Sequence, residues 1–178
     1  MIVELFSIPV FIGNIDASKI EIKNKQFKKT WLSDTESTHG NSTDGNNKKF
    51  ENVQNVEYLM KTIVELLEEK IKYNFEIRLL HIWENFYNQH DYQEPHIHEK
   101  SDFSFIIYKD VEEGKTVFLN PIKNYLLFYK NIAHMFDSLF MPKCKTGQII
   151  IFPSFLEHMV LKNSNQTTIA GNLKFIKK

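Results

Sequence analysis

The strongest constraint on the fold is a change in hydrophobic periodicity near residue 76. Before it, apolar residues between positions 53 and 71 recur every three or four residues, which predicts an amphipathic helix of about five turns. After it, side chains alternate along an extended chain, with one face carrying His81, Trp83, Asn85 and Tyr87. Shorter strand candidates follow at residues 102–109, 115–119, 147–152 and 167–175. A helical lead-in followed by many short strands predicts an α+β chain whose second half is a jelly-roll barrel.

The chain's length of 178 residues fits a single domain. We predict that residues 1–75 supply a strand, a polar loop and helices packed on one sheet, and that residues 76–178 form the jelly-roll core. Apolar residues 3–11, which include Pro9, predict an edge strand or an entry segment. Polar, glycine-containing residues 33–49 predict a long surface loop.

The charge balance excludes partners that need a strong electrostatic field. Lys and Arg total 22, as do Asp and Glu, so no net positive field attracts nucleic acid or an anionic membrane. No apolar run reaches the roughly 18 to 20 residues of a membrane span, and the first residues do not resemble a signal peptide. Cys144 is the lone cysteine, which excludes an internal disulfide and suits a reducing compartment. We therefore expect a soluble, cytoplasmic protein.

Three histidines are the residues most suited to chemistry. His96 and His98 are two residues apart, and on an extended chain both side chains point to the same side. His158 follows Pro153, where a strand is expected to end, and can close on the pair from the rim of the barrel. Imidazole nitrogens bind iron, zinc, copper or nickel, so the spacing predicts a metal pocket without choosing the metal. Isolated histidines such as His134 are more often packed or surface residues.

Several segments in a fixed order carry a resemblance to a known family. They are residues 82–87 (IWENFY), 91–98 (DYQEPHIH), 101–108 (SDFSFIIY), 147–158 (GQIIIFPSFLEH) and 169–172 (IAGN), with the opening residues 5–10 (LFSIPV) and 31–35 (WLSDT). Together they resemble the iron(II)/2-oxoglutarate-dependent oxygenases found in bacteria and in tailed phages of marine bacteria. The resemblance implies a double-stranded β-helix, a cupin-like barrel, with Fe(II), 2-oxoglutarate and O₂ as cofactor and cosubstrates. It also implies hydroxylation of a C–H bond as 2-oxoglutarate is converted to succinate, in the host cytoplasm if the protein is phage-encoded.

The resemblance implies His96, His98 and His158 as metal ligands and catalytic residues. Enzymes of this chemistry usually have a carboxylate where this chain has His98, and Asp102 is an alternative third ligand if the following turn is tight. Gln93 or Glu94 beside the site is a candidate acceptor for a ring N–H.

The expected 2-oxoglutarate pocket departs from the family pattern. Gln166 stands where an arginine is usual, and the sole arginine, Arg78, is far away in sequence. An amide does not replace the charge of a guanidinium. The predicted cosubstrate-binding residues are therefore Asn85, Tyr108, Gln166, Asn172 and Lys174, with Lys109 and Lys162 as weaker candidates.

Two further functions fit the same residues. One is a cupin-like, three-histidine metal dioxygenase or isomerase that needs no 2-oxoglutarate. The other is a degenerate barrel that acts as a structural or binding module of a phage. The primary substrate cannot be read from the sequence, although the aromatic-rich insertion at residues 121–145 and the polar loop can line the barrel mouth. The insertion can equally bury the interface of a homodimer.

Overall fold

The computed structural model describes residues 7–23, 27–29, 32, 35–37, 50–129, 131–162 and 165–178. Within them the strands are β1 (Phe11–Asn14), β2 (Glu21–Ile22), β3 (Lys28–Lys29), β4 (Glu36–Ser37), β5 (Val53–Gln54), β6 (Phe75–Tyr87), β7 (Gln93–His96), β8 (Phe103–Asp110), β9 (Thr116–Leu119), β10 (Leu139–Phe140), β11 (Gln148–Pro153), β12 (His158–Val160) and β13 (Gln166–Lys177). The helices are α1 (Val56–Glu68) and α2 (Lys123–Leu126), with single 3-10 turns at Ala17–Lys19 and Ala133–Met135. The chain is therefore mostly β-sheet with few helices.

The strands form two main sheets in which all neighbours are antiparallel. The larger sheet has the order β1-β11-β8-β13-β6-β4-β3, and the smaller has the order β10-β9-β12-β7. The short strands β2 and β5 pair separately. Strands that follow one another from β6 to β9 alternate between the two main sheets, so the chain crosses repeatedly from one sheet to the other.

The predicted alternation around residues 81–87 is confirmed, with one irregularity. β13 pairs with β6 along its whole length, but the register shifts where Asn172 pairs with His81 and Leu173 pairs with Leu79. Leu80 is thus an extra residue, and such a bulge reverses which alternate residues face each side. Consequently Leu79 packs on the same core as Ile82. From His81 to Tyr87 the side chains alternate between the two faces of the sheet as predicted.

The other long strands begin and end within two residues of their predicted limits, but β7, β10 and β12 were not predicted. These strands contain four, two and three residues, too few for alternation to be recognised.

The N-terminal predictions are only partly tested by the described residues. Residues 3–6 lie outside them, and residues 7–10 are not in a strand, which begins at Phe11 because Pro9 has no N–H for the ladder. Most of the predicted loop at 33–49 also lies outside the described residues, although Glu36–Ser37 pairs with β6. The predicted helix is confirmed as α1, which is shorter than expected because Val53 belongs to β5.

The larger sheet is buried on both faces. One face packs on α1, whose Leu59, Ile63 and Leu67 are fully buried. Helix and sheet approach so closely at Gly13 that a Cβ there would lie 2.5 Å from the Leu66 side chain. The other face meets the smaller sheet in a second core, which includes Trp83 of β6 and Phe118 of β9. Burial on both faces explains the unbroken apolar run of β11, because neither set of alternate side chains reaches water.

Part of the predicted insertion is strongly exposed. Tyr125, Phe128 and Met135 are 69%, 84% and 72% exposed. The dimer interface suggested for this segment stays a prediction. Among the described residues, no helix has the length and apolar character needed to cross a bilayer.

Candidate metal centre

His96, His98 and His158 converge on one point. One ring nitrogen from each lies within 4.8 Å of the others, so the three side chains are placed together where they could hold one metal ion. The ring centroids are 4.3 Å apart for His96 and His158, 5.2 Å for His96 and His98, and 5.1 Å for His98 and His158. The three residues predicted from their spacing are therefore brought together.

Strand pairing positions two of these histidines. His96 ends β7 and is the direct partner of His158, the first residue of β12. The Nδ1 of His96 lies 2.7 Å from the carbonyl oxygen of Glu94, and the Nδ1 of His158 lies 3.0 Å from that of Leu156. A carbonyl accepts only from a protonated Nδ1, so both rings present the Nε2 lone pair to a metal. The acceptor for His96 is thus the backbone of Glu94, whereas the side chain of Glu94 accepts the Leu32 N–H at 2.6 Å.

His98 is held by a loop and not by a strand, so the expectation of one extended segment carrying both His96 and His98 is wrong. The strand ends at His96, and the His98 N–H donates to the carbonyl of Ser154 at 3.0 Å. The Ser101 hydroxyl donates to the His98 carbonyl at 3.0 Å, which closes the turn. These contacts bring the third ring to the site.

A buried hydrogen-bond chain anchors this loop. The Ser154 and Ser104 hydroxyls are 2.8 Å apart, and Ser104 donates to Oδ1 of Asn172 at 3.0 Å. Asn172 was predicted to bind the cosubstrate. Its side chain instead accepts a hydrogen bond from Ser104, and it does not line the cavity beside the histidines. Its carbonyl oxygen is occupied because an inward amide in a sheet needs a partner.

The electrostatics favour a neutral imidazole at His158. Burial, followed by the nearby rings of His96 and His98, lowers the pKa of His158 well below its usual range. A neutral imidazole is the form that binds a metal. No Asp or Glu belongs to the cluster among the described residues, so a divalent cation there would keep its full charge.

The histidines line a narrow, partly enclosed cavity between the two sheets. Strands of both sheets contribute its walls. The polar residues that line it, besides the three histidines, are Asn85, Tyr87, Gln93, Thr116, Gln166 and Thr168. Trp83 also lines the cavity, with its ring centroid 5.6 Å from that of His98. No Lys, Arg, Asp or Glu of the described chain lines it.

The structure separates the predicted cosubstrate residues. Asn85 and Gln166 line the cavity. Tyr108 does not, because its hydroxyl donates to Oγ1 of Thr116 at 3.0 Å within the core, and burial raises its pKa. Sequence reasoning had not assigned Tyr87, Thr116 or Thr168 to the site. Thr168 reaches the site as the direct partner of Asn85, a pairing that the local sequence pattern does not reveal.

Lys174 and Asp102, each proposed for the site, instead pair with one another. Nζ of Lys174 lies 3.1 Å from Oδ2 of Asp102, which also accepts the Phe175 N–H at 2.8 Å. Lys174 does not line the cavity, and Asp102 does not belong to the histidine cluster. Lys109 likewise pairs with Glu84, at 3.5 Å, outside the cavity lining.

The comparisons with known proteins agree with the metal centre. Residues 81–170, more than half of the chain, match the family model described as "Putative 2OG-Fe(II) oxygenase". The chain belongs to this family, whose cofactors are Fe(II) and 2-oxoglutarate. The three-histidine cluster has the ligand type and spacing to hold the iron. No curated protein matches the chain.

Solved structures give more distant matches. An oxidoreductase of the 2OG-Fe(II) oxygenase family from Burkholderia pseudomallei is 11% identical, with a TM-score of 0.47 over 67% of this chain and 53% of that one. The viral collagen prolyl hydroxylase vCPH of Paramecium Bursaria Chlorella virus-1, in complex with 2OG, is 13% identical, with a TM-score of 0.44 and 78% of each chain covered. HygX from Streptomyces hygroscopicus, with nickel, 2-oxoglutarate and hygromycin B bound, is 11% identical, with a TM-score of 0.43 over 88% of this chain and 73% of that one. The chain thus spans about half the length of the first of these structures.

Proposed function

We propose that the chain is an active Fe(II)/2-oxoglutarate-dependent oxygenase that hydroxylates a substrate still to be identified. The observation that carries this proposal is the convergence of three ring nitrogens within 4.8 Å on the wall of a partly enclosed cavity. His96, His98 and His158 would hold the iron and leave its other positions open. Two of these rings are already fixed by backbone carbonyls, so little reorganisation is needed to accept a metal.

The strand order supports a double-stranded β-helix. Four strands of the larger sheet, in the order β11-β8-β13-β6, face the four strands of the smaller sheet, in the order β10-β9-β12-β7. The connections alternate between these two sets for most of the chain after residue 75, as in a jelly roll. The segment before β6 adds flanking strands and α1 to the outer face of the larger sheet.

With 2-oxoglutarate and O₂, a bound iron supplies the oxidising chemistry, in which one oxygen atom enters a C–H bond of the substrate and the other enters succinate as CO₂ is released. The chain's own residues prepare the site for this reaction. The imidazoles provide neutral ligands, and the apolar wall that includes Trp83 and Ala170 limits the access of water.

An anaerobic titration tests the proposal. The full-length protein loaded with Fe(II) is titrated with 2-oxoglutarate, and we expect a weak visible absorption band together with binding heat. His96→Ala should abolish the band, whereas His134→Ala, a change at an exposed histidine outside the cluster, should leave it intact.

Absence of the band in wild-type protein that metal analysis shows to contain iron would overturn the proposal. Oxygen consumption that needs iron but not 2-oxoglutarate would instead favour a three-histidine dioxygenase of a different kind.

A further inference from the structure

One part of the cavity is built from uncharged polar side chains. On the larger sheet, Tyr87 pairs directly with Gln166, and Asn85 pairs directly with Thr168. Gln93 lines the same cavity from the smaller sheet, where it pairs with Val160. Amide and hydroxyl groups therefore meet in the cavity from both sheets.

Several of these groups have unused hydrogen-bonding capacity. Within the described part of the chain, Oδ1 of Asn85 has no hydrogen-bond partner, and Nε2 of Gln93 and Oγ1 of Thr168 have none apart from the Tyr87 hydroxyl beside them. The three side chains belong to residues that are only 3%, 6% and 3% exposed. Because a buried polar group without a partner costs about 1 to 3 kcal/mol, a cluster of them indicates a ligand that completes their hydrogen bonds.

Tyr87 adds a hydroxyl that keeps its proton. The phenol is fully buried beside Thr168 and Gln93, and burial raises its pKa well above the usual range. It can therefore donate a hydrogen bond to an oxygen of a ligand but cannot contribute a charge.

Cations are absent from this part of the described chain. Two of the lysines that sequence analysis considered as basic partners of a carboxylate are committed elsewhere, Lys109 to Glu84 and Lys174 to Asp102, and the third, Lys162, does not line the cavity. The sole arginine, Arg78, pairs with Glu76 at 2.6 Å. Each of these ion pairs lies outside the cavity lining. An acidic ligand in the cavity would thus be recognised without an opposite charge.

We propose that the end of 2-oxoglutarate remote from the metal is bound by this uncharged set, namely Asn85, Tyr87, Gln93, Gln166 and Thr168. This inference rests on the proposed function. Recognition then depends on shape and neutral hydrogen bonds, and Asn85 can turn either end of its amide toward the ligand. The site consequently discriminates weakly between 2-oxoglutarate and a 2-oxo acid whose remote end is uncharged but accepts hydrogen bonds.

The test compares two ligands and one added charge. Fe(II)-loaded, full-length protein is titrated anaerobically with 2-oxoglutarate and with its 5-methyl ester, and dissociation constants are read from the visible band and from calorimetry. For wild type we expect the two constants to agree within about tenfold, since hydrogen bonds between neutral groups are worth only about 0.5 to 1.5 kcal/mol.

Gln166→Lys supplies the missing cation inside the cavity. We expect it to tighten 2-oxoglutarate about tenfold or more, because a charge-assisted hydrogen bond replaces a neutral one, and to leave the ester nearly unchanged. Gln54→Lys is the matched control, since Gln54 is exposed on β5 and the same change there should alter neither constant.

The outcomes are distinguishable. If the ester binds poorly but Gln166→Lys still tightens 2-oxoglutarate, the site is uncharged and the ester is excluded by its size, which supports the proposal. If 2-oxoglutarate binds more than about a hundredfold tighter than the ester and Gln166→Lys does not tighten 2-oxoglutarate further, a cation already binds the remote carboxylate. That result would overturn the inference but leave the proposed function standing. If neither ligand binds the iron-loaded protein, both the inference and the proposed function fail.

Discussion

His96 and His158 face each other across the antiparallel pair β7 and β12, as direct partners with ring centroids 4.3 Å apart. A metal held by both residues would link the two strands, and His98 would link them to the loop that ends at Ser101. The metal should therefore stabilise the fold as well as supply chemistry, because it binds only when these segments are assembled.

The first prediction concerns stabilisation by metal. Ni(II), a stand-in that does not react with O₂ as Fe(II) does, should raise the free energy of unfolding by about 2.7 kcal/mol at a hundred times its dissociation constant. Thermal unfolding with and without the metal measures the change. His158→Ala should remove it, and comparing each variant with its own metal-free form cancels any loss caused by the substitution itself. An unchanged increase in His158→Ala would contradict the assigned ligand.

The second prediction concerns the two buried tyrosines. Tyr87→Phe removes a hydroxyl that lies in the cavity, and the dissociation constant of 2-oxoglutarate should rise about fivefold to tenfold while metal affinity is unchanged. Tyr108→Phe is the matched change, since its hydroxyl is already bonded to Thr116 in the core, and it should leave the constant unaltered. Equal effects of the two variants in the anaerobic titration would argue against a role for Tyr87 in the site.

The third prediction concerns the hydrogen-bond chain behind His98. Asn172→Leu leaves the buried Ser104 hydroxyl without its acceptor, and the free energy of unfolding should fall by about 1 to 3 kcal/mol. Metal affinity should also weaken, because Ser154, which accepts the His98 N–H, is bonded to Ser104. Denaturant titration and metal titration measure the two effects. Asn131→Leu, at an exposed position, is the control and should change neither by a comparable amount.

The fourth prediction compares two isoleucines that are direct partners on β1 and β11. Ile150 is fully buried between the sheets, whereas Ile12 is 44% exposed. Ile150→Ala should lower the free energy of unfolding by about 2 to 5 kcal/mol, because it removes buried surface and leaves a cavity. Ile12→Ala should cost less than about 1 kcal/mol, since most exposed substitutions have small effects. Similar losses for both variants in denaturant titrations would contradict the burial of Ile150 between the two sheets.

Much of the β-sheet could be predicted because its strands are long enough to show a pattern. Alternation located β6, and apolar runs located β8 and β11. The short strands β7 and β12 carry two of the three clustered histidines, yet they have no such signal. They exist because they pair with each other and because β12 also pairs with β9, and pairing between distant segments is not encoded in local periodicity.

The candidate site likewise combines residues that the sequence could predict with contacts that only the structure reveals. The residue types and spacing at positions 96, 98 and 158 were enough to predict a metal pocket, since imidazole is a ligand wherever it is held. Lys174 was a candidate for the cosubstrate and Asp102 an alternative metal ligand, but they are neighbours in the fold, and each neutralises the charge of the other. Which charges neutralise one another depends on distances that the sequence does not contain.

By itself, then, the sequence determined the faces of the longer strands, the helical lead-in and the three histidines available to a metal. These properties follow from side-chain chemistry and from the repeat of the chain over a few residues. The tertiary structure alone decided that His98 reaches the cluster from a loop, that Asn172 supports that loop, and that the described cavity wall carries amides and hydroxyls but no cation. These properties arise from strand pairing and register, which bring together residues far apart in the sequence and decide which side chains meet.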